Sequence, residues 1–61
     1  MLKTMKIGES TVVSEGGTSV TVKRRGSDYI AHITYNSQKW DCGKDAETAI
    51  RELKKTWPEE F

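Results

Sequence analysis

The fold of this chain is decided by the segment from Tyr29 to Trp57, which reads YIAHITYNSQKWDCGKDAETAIRELKKTW. Its first half alternates between apolar and polar residues around Asn36-Ser37, a pair that favours a two-residue hairpin turn. Its second half carries one apolar stripe at helical spacing, formed by Ala46, Ala49, Ile50, Leu53 and Trp57. The segment therefore predicts a β-hairpin that runs directly into one amphipathic helix.

The ends of this helix are also marked. Asp45 precedes the stripe and is a good N-cap residue. Pro58 disfavours helical geometry at the residue before it, which predicts that the helix ends near Thr56 or Trp57. Trp57 is expected to pack on the core at the end of the stripe. The alternative is that it projects as an anchor for a partner.

Three two-residue turns predict the register of a sheet: Gly16-Gly17, Gly26-Ser27 and Asn36-Ser37. Counting outward from them gives five apolar cross-strand pairs: Val13 with Val20, Val20 with Ile33, Val22 with Ala31, Ala31 with Cys42, and Ile33 with Trp40. All these residues fall on one face, and alternation adds Tyr29 and Tyr35 to it. We therefore expect an α+β fold of two layers, in which a three- to four-stranded antiparallel β-meander carries one C-terminal helix on one face (β-β-β-β-α).

Length and composition limit the class of protein. Residues 1–61 form one small domain, in which we expect 1–8 and 58–61 to be frayed tails. One cysteine and one histidine provide neither an internal disulfide nor a zinc site, so no cofactor is expected. No apolar run approaches the ~20 residues of a membrane span. A cytoplasmic protein without membrane contact is the expectation, since Cys42 indicates a reducing compartment.

The sheet face without the helix is the candidate binding surface. The same register displays on it, or at its rim, the residues Lys23, Arg25, Ile30, His32, Thr34, Lys39 and Asp41. One interpretation is an ordinary solvated face, which antiparallel sheets often have. The other is a docking surface for a protein or a nucleic acid.

The predicted row of Thr21, His32 and Asp41 resembles a hydrolase triad in residue types only. A flat, exposed sheet offers neither a pocket nor an oxyanion hole, and nucleophilic catalysis needs both. We therefore expect no enzyme activity and interpret His32 and Asp41 as a local ion pair. Cys42 is expected to be a small core residue.

Two further features bear on partners. The run Lys23-Arg24-Arg25 could contact phosphates, although such charges also keep short strands soluble. The first strand, around Thr11–Ser14, is uncharged and β-branched. Such an edge can pair with a partner strand or with a second copy, so a homodimer through an edge strand or the open face is possible.

The strand Tyr29-Ile30-Ala31-His32-Ile33 is followed by Gly43-Lys44-Asp45-Ala46-Glu47-Thr48-Ala49-Ile50. This combination resembles the N-terminal module of HicB-type antitoxins, which has a Tyr-Val-Ala-x-Phe strand and a Gly-x-Thr-x-Glu-x-Ala-Leu helix start at the same separation. The resemblance covers about half of the chain, but a simple Asn36-Ser37 turn replaces the Pro-Gly-Cys loop of the family. It implies a small module that binds and blocks another protein without chemistry of its own.

A weaker resemblance is to AP2-type domains and the arm-binding domains of phage-type integrases. In these three-stranded sheets the counterparts of Ala31 and Ile33 are core residues and the neighbouring positions face DNA. The resemblance implies DNA contacts from Lys23, Arg25, His32, Thr34 and Lys39.

These observations lead to one expected function and one alternative. We expect a non-enzymatic small protein that regulates or inhibits a partner protein through its open sheet face or edge strand. We expect it to be an accessory protein of a phage or another mobile element, such as an antitoxin-like or anti-CRISPR-type inhibitor. The alternative is a small DNA- or RNA-binding module that uses a weakly basic sheet face; the net charge of only +1 argues against it.

Overall fold

A computed structural model describes residues 5–61 of the chain. Four antiparallel strands lie side by side in chain order, and one helix packs on one face of the sheet. The elements are β1 (Ser10–Glu15), β2 (Thr18–Arg24), β3 (Tyr29–Ile33), β4 (Asn36–Gly43), α1 (Ala46–Thr56) and a single 3-10 turn (Pro58–Glu60). This arrangement confirms the predicted α+β meander with its C-terminal helix.

The first two hairpins have the predicted register. Gly16 and Gly17 connect β1 to β2 with φ of +58° and +85°, as a type I′ turn requires. The resulting pairs include Val13 with Val20, Val22 with Ala31, and Val20 with Ile33. In the second hairpin, the Arg25 N–H donates to the Asp28 carbonyl, 3.0 Å away, around Gly26-Ser27.

The third hairpin differs from the prediction. The turn is Thr34-Tyr35 rather than Asn36-Ser37, and Ile33 pairs with Asn36. A bulge follows, after which the pairs are Tyr29 with Gly43, Ile30 with Cys42, Ala31 with Asp41, and His32 with Trp40. The predicted pairs of Ala31 with Cys42 and Ile33 with Trp40 are wrong, because Cys42 and Trp40 pair with Ile30 and His32, each one residue earlier on β3. Because side chains alternate along a strand, this shift turns β4 over.

Asn36 does form a local turn, but inside β4. Its side-chain Oδ1 accepts a hydrogen bond from the Gln38 N–H, 3.1 Å away, at the bulge. The turn signal in the sequence was therefore real and belonged to the bulge, not to the hairpin loop. Tyr35, expected in the core, lies in the loop with 89% of its surface exposed.

The core lies between α1 and the sheet. Its buried residues are Met5, Val20, Val22, Tyr29, Ala31, Ile33, Ala46, Ala49, Ile50 and Leu53. Trp57 packs against this cluster, as do Val13 and Phe61. The predicted apolar stripe is thus confirmed, including the packing of Trp57. Full burial of one aliphatic side chain such as Leu53 contributes about 1.5–3 kcal/mol.

Both ends of the described chain make tertiary contacts, and the frayed tails expected at residues 1–8 and 58–61 stay a prediction. Residues 1–4 lie outside the described part. Met5 is buried, and its carbonyl accepts a hydrogen bond from Arg24 Nη1, 2.7 Å away. At the other end, the Glu60 carbonyl accepts one from the Thr18 hydroxyl. These contacts, which composition does not reveal, connect the two terminal segments to the rest of the fold.

The Asp45 cap gives a pH-dependent prediction. Asp45 Oδ1 accepts a hydrogen bond from the Thr48 N–H, 2.7 Å away, and this bond lowers the pKa of Asp45. The charged carboxylate therefore stabilises the fold above its unfolded pKa of about 4, and this contribution is lost as the pH falls through the lower folded pKa. We expect Asp45→Ala to lower the melting temperature by about 4–8 °C near neutral pH.

The control variant is Asp45→Asn, which keeps an acceptor oxygen without the charge. Its deficit should be smaller near neutral pH and should vanish as the pH falls through the lowered folded pKa of Asp45 and the carboxylate becomes protonated. Thermal denaturation of the three proteins across the acidic pH range measures both effects. Equal melting temperatures for the natural protein and Asp45→Ala near neutral pH would rule out the cap.

Candidate docking site on the open sheet face

The open face of the sheet, opposite α1, displays one row of residues across all four strands. The register places Val12, Thr21, His32 and Trp40 next to one another in this row. Lys23 and Ile30 form a pair in the neighbouring row. We call these six residues the docking face: Val12, Thr21, Lys23, Ile30, His32 and Trp40. Strand alternation puts them all on the side away from the core.

The docking face is partly apolar. Trp40 has 48% of its surface exposed and Val12 has 59%, and they lie at the two ends of the row. Thr21, Ile30 and His32 between and beside them are half-buried. Tryptophan is enriched among the residues that dominate protein–protein binding energies. Trp40 lies within a strand of the sheet, so no loop has to become ordered when a partner binds it, and the entropy cost of binding is reduced.

Three of the predicted site residues lie where the sequence placed them. Lys23, Ile30 and His32 are on the open face. Thr34 lies in the third turn, at the end of this face, with its Oγ1 3.0 Å from Thr21 Oγ1. Its N–H donates to the Ser19 carbonyl, which extends the β2–β3 pairing by one residue. Thr34 therefore supports Thr21 at the edge of the docking face.

Arg25 lies in the loop after β2 and pairs with Asp28 instead of facing outward alone. Its Nη2 and Nε lie 2.7 Å and 3.3 Å from the two carboxylate oxygens. These hydrogen bonds raise the pKa of Arg25 and lower the pKa of Asp28. Both groups are exposed, so the pair contributes little to stability. The Arg25 guanidinium is nevertheless paired with a carboxylate of the same turn.

Lys39 is a correction to the predicted site, because the bulge sends its side chain to the helix side of the sheet. Its Nζ contacts the Glu60 carboxylate and lies 3.5 Å from Glu59 Oε2. It also lies 5.4 Å from the centre of the Trp57 ring. The hydrogen bond to Glu60 raises the pKa of Lys39. Lys39 thus holds the C-terminal turn and does not belong to the open face.

Asp41 is the second correction, for the same reason. It pairs with the buried Ala31 and accepts a hydrogen bond from the Thr56 hydroxyl at the end of α1, 2.5 Å away. The row of Thr21, His32 and Asp41 does not exist, since Trp40 occupies the position next to His32. His32 Nδ1 lies 2.8 Å from the Ile33 carbonyl oxygen. The predicted ion pair between His32 and Asp41 is therefore also wrong.

Trp40 and Cys42 lie on the open face although the expected register placed both in the core. Cys42 pairs with Ile30 on the open face and is half-buried. The order Lys39, Trp40, Asp41, Cys42 alternates charged and apolar residues, a pattern that favours Trp40 and Cys42 in the core, and the structure has the opposite face. The signal for the observed orientation of β4 was the acidic pair Glu59-Glu60, which attracts the Lys39 ammonium to the helix side of the sheet.

Arg24 lies on the core side of β2, on the same face as Val20 and Val22, and is also engaged. Arg24 donates to the Met5 carbonyl, 2.7 Å away, and to the Gly26 carbonyl, 3.1 Å away. Within residues 5–61, Lys23 is the only lysine or arginine in the two rows of the open face. The same part of the chain contains no group of three or more His, Cys, Asp or Glu side chains placed to hold a metal ion. None of its helices is long and apolar enough to cross a membrane.

Comparison with known proteins gives no relative: no family model, no curated protein and no solved structure matches this chain. The resemblances to HicB-type modules and to AP2-type domains therefore stay hypotheses.

Proposed function

We propose that this chain is a small protein without catalytic chemistry that regulates or inhibits a partner protein, which it binds through the docking face. The single observation that carries this proposal is the exposed Trp40 at one end of the row that reaches Val12. An aromatic side chain on an open sheet face gains most when a partner covers it and removes it from water. The role of a module that binds and blocks another protein, as in HicB-type antitoxins, fits such a surface.

The charges favour a protein partner over a nucleic acid. Affinity for nucleic acids comes mainly from several cations that neutralise phosphates. The alternative needed Lys23, Arg25 and Lys39 on one surface, but Arg25 pairs with Asp28, and Lys39 pairs with Glu59 and Glu60. Lys23 remains as the one cation of the docking face.

The surroundings of His32 support binding rather than catalysis. A general base is usually oriented by a carboxylate and placed next to a nucleophile in a closed site. His32 instead has Trp40 and Thr21 as its cross-strand neighbours, and its Nδ1 is close to a main-chain carbonyl. In this setting the imidazole serves as a polar contact within a binding surface.

The test of the protein-binding proposal uses Trp40→Ala and the matched control Ser37→Ala, an exposed position on the same strand. The natural protein and the two variants are each immobilised, and the proteins that each of them retains are quantified by mass spectrometry. A partner purified from this comparison should bind the natural protein and Ser37→Ala equally by calorimetry. It should bind Trp40→Ala at least about 30-fold more weakly, the loss expected at a hot spot.

Circular dichroism must show that Trp40→Ala remains folded, as expected for a residue outside the core. If every partner confirmed by calorimetry bound Trp40→Ala as well as the natural protein, the docking face would not be the binding site.

Titration with a mixed-sequence DNA duplex tests the alternative. We expect no saturable binding below about 100 μM at physiological salt. Micromolar binding that falls steeply with salt, and that is lost in Lys23→Ala but kept in Lys55→Ala, would favour the nucleic-acid function. Lys55 is the control because it is an exposed lysine on α1.

A further inference from the structure

The two edges of the sheet differ in their protection. β4 carries the charged residues Lys39 and Asp41 and has a bulge against β3. Asp41 Oδ1 also accepts a hydrogen bond from the Cys42 N–H, 2.8 Å away, at this edge. Charges, bulges and satisfied amides are the devices that block an edge strand. β1 has no charged residue from Ser10 to Ser14 and pairs with β2 without a bulge.

The hydrogen bonds of the neighbouring strands show which groups of β1 point outward. The Arg24 N–H donates to the Glu9 carbonyl, 3.1 Å away, so alternation directs the main-chain groups of Thr11 and Val13 toward β2 as well. The main-chain N–H and C=O groups of the intervening residues then face the open edge. These residues are Ser10, Val12 and Ser14, and all three are exposed.

We propose that a second copy of this chain pairs with this edge, antiparallel, with Val12 on the two-fold axis. The edge reads Glu-Ser-Thr-Val-Val-Ser-Glu from Glu9 to Glu15, which is nearly the same in both directions. A symmetric antiparallel pair therefore places like against like: Val12 faces Val12 of the second copy, Ser10 faces Ser14, and Thr11 faces Val13. Hydroxyl pairs and β-branched pairs are favourable cross-strand neighbours.

The like charges at the ends of the edge are compensated only in part. The register places Glu9 of one copy opposite Glu15 of the other, and like charges in this position repel. Glu15 Oε1 is already 2.8 Å from Lys54 Nζ on α1. Lys54 is 44% exposed, so its ammonium is accessible to a second carboxylate beside Glu15. A cation from each α1 thus lies next to each acidic pair.

The pairing would join two four-stranded sheets into one of eight strands. The rows from Trp40 to Val12 of the two copies become continuous through the two-fold axis, and the dimer presents one docking face of twice the width. This inference concerns the β1 edge, which shares Val12 with the docking face, and its test does not depend on whether a partner protein binds that face. A strand edge of six residues buries less than the roughly 800 Å² per partner of a standard interface, so the dimer should be weak.

Sedimentation equilibrium of the full chain from about 20 μM to about 2 mM tests the dimer, for which we expect a Kd on the order of 0.1–1 mM. Val12→Lys puts two ammonium groups together on the axis and should weaken association at least tenfold. Ser14→Lys, the second variant, should also weaken it. Ser37→Lys adds the same charge to the opposite edge strand and should leave association unchanged. Glu9→Gln removes the repulsion while keeping the acceptor for the Lys6 N–H, and should strengthen association.

A monomer throughout the concentration range would overturn the proposal. So would a dimer that both lysine variants on β1 retain, or one that is lost in Trp40→Ala and kept in Val12→Lys, because that result assigns the interface to the open face. Thermal denaturation shows whether each variant is folded. Because Val12 and Ser14 are exposed, both lysine variants should melt within a few degrees of the natural protein.

Discussion

The Val20→Asp variant should be unfolded in water at room temperature. Val20 is fully buried in the middle of the sheet, where it pairs with Val13 on one side and Ile33 on the other. An aspartate there must bury a carboxyl group without a partner and also gives up the apolar contacts of valine. We expect a cost of about 4 kcal/mol or more. A domain of this size rarely has more than about 3–5 kcal/mol of stability, so the cost is comparable to the whole.

The matched control is Val12→Asp, the same change on the opposite face of the same sheet. Val12 is 59% exposed, and this variant should stay folded with a loss of about 1 kcal/mol or less. Trp40→Asp should stay folded as well, although the sequence placed Trp40 in the core. Circular dichroism and urea unfolding measure all three. An unfolded Trp40→Asp beside a folded Val20→Asp would mean that the register of the sheet is wrong.

Gly43→Ala should have the second-largest effect. A Cβ atom at Gly43 would lie 2.6 Å from the Ala49 backbone nitrogen, and 2.9 Å from the Thr48 carbonyl carbon and from Thr48 Cγ2. Two of these atoms belong to the backbone of α1 and cannot rotate away. The helix must therefore move off the sheet, which loosens the packing of the buried Ala46 and Ala49. We expect a loss of about 2–3 kcal/mol in the free energy of unfolding, measured with urea.

Gly26→Ala is the control for the Gly43 prediction. A Cβ at Gly26 meets no atom within 4 Å, and Gly26 does not have a positive φ. Its stability should change by about 0.5 kcal/mol or less. Equal stability of the two variants would show that α1 does not approach β4 as closely as described.

The fold was predictable where local signals agreed with one another. Gly16-Gly17 favours a two-residue hairpin turn, and the valines of β2 then match the apolar residues of β3 in only one register. Asp45 and Pro58 mark the ends of a helix whose apolar stripe is unambiguous. These features act within a few residues of each other, so the sequence contains the information directly.

The site was predictable only in part, because the bulge in β4 overrides the alternation of charged and apolar residues along this strand. Lys23, Ile30 and His32 lie on strands whose register the turns determine, and they are on the open face. Lys39 and Asp41 were placed by counting from Asn36-Ser37, and the bulge invalidates that count. Trp40, the residue on which the proposed function depends, was missed through the same one-residue shift.

The sequence by itself determined the four strands, the helix, its cap and most of the buried set, because turn chemistry and apolar periodicity are local properties of the segment from Tyr29 to Trp57 and of the strands before it. Only the tertiary structure decided which face β4 presents. With the bulge in place, Lys39 reaches Glu60 and Asp41 reaches the Thr56 hydroxyl, contacts that span 21 and 15 residues. Such long-range contacts accompany an orientation of β4 opposite to the one its local alternation favours, and this orientation leaves Trp40 exposed on the docking face.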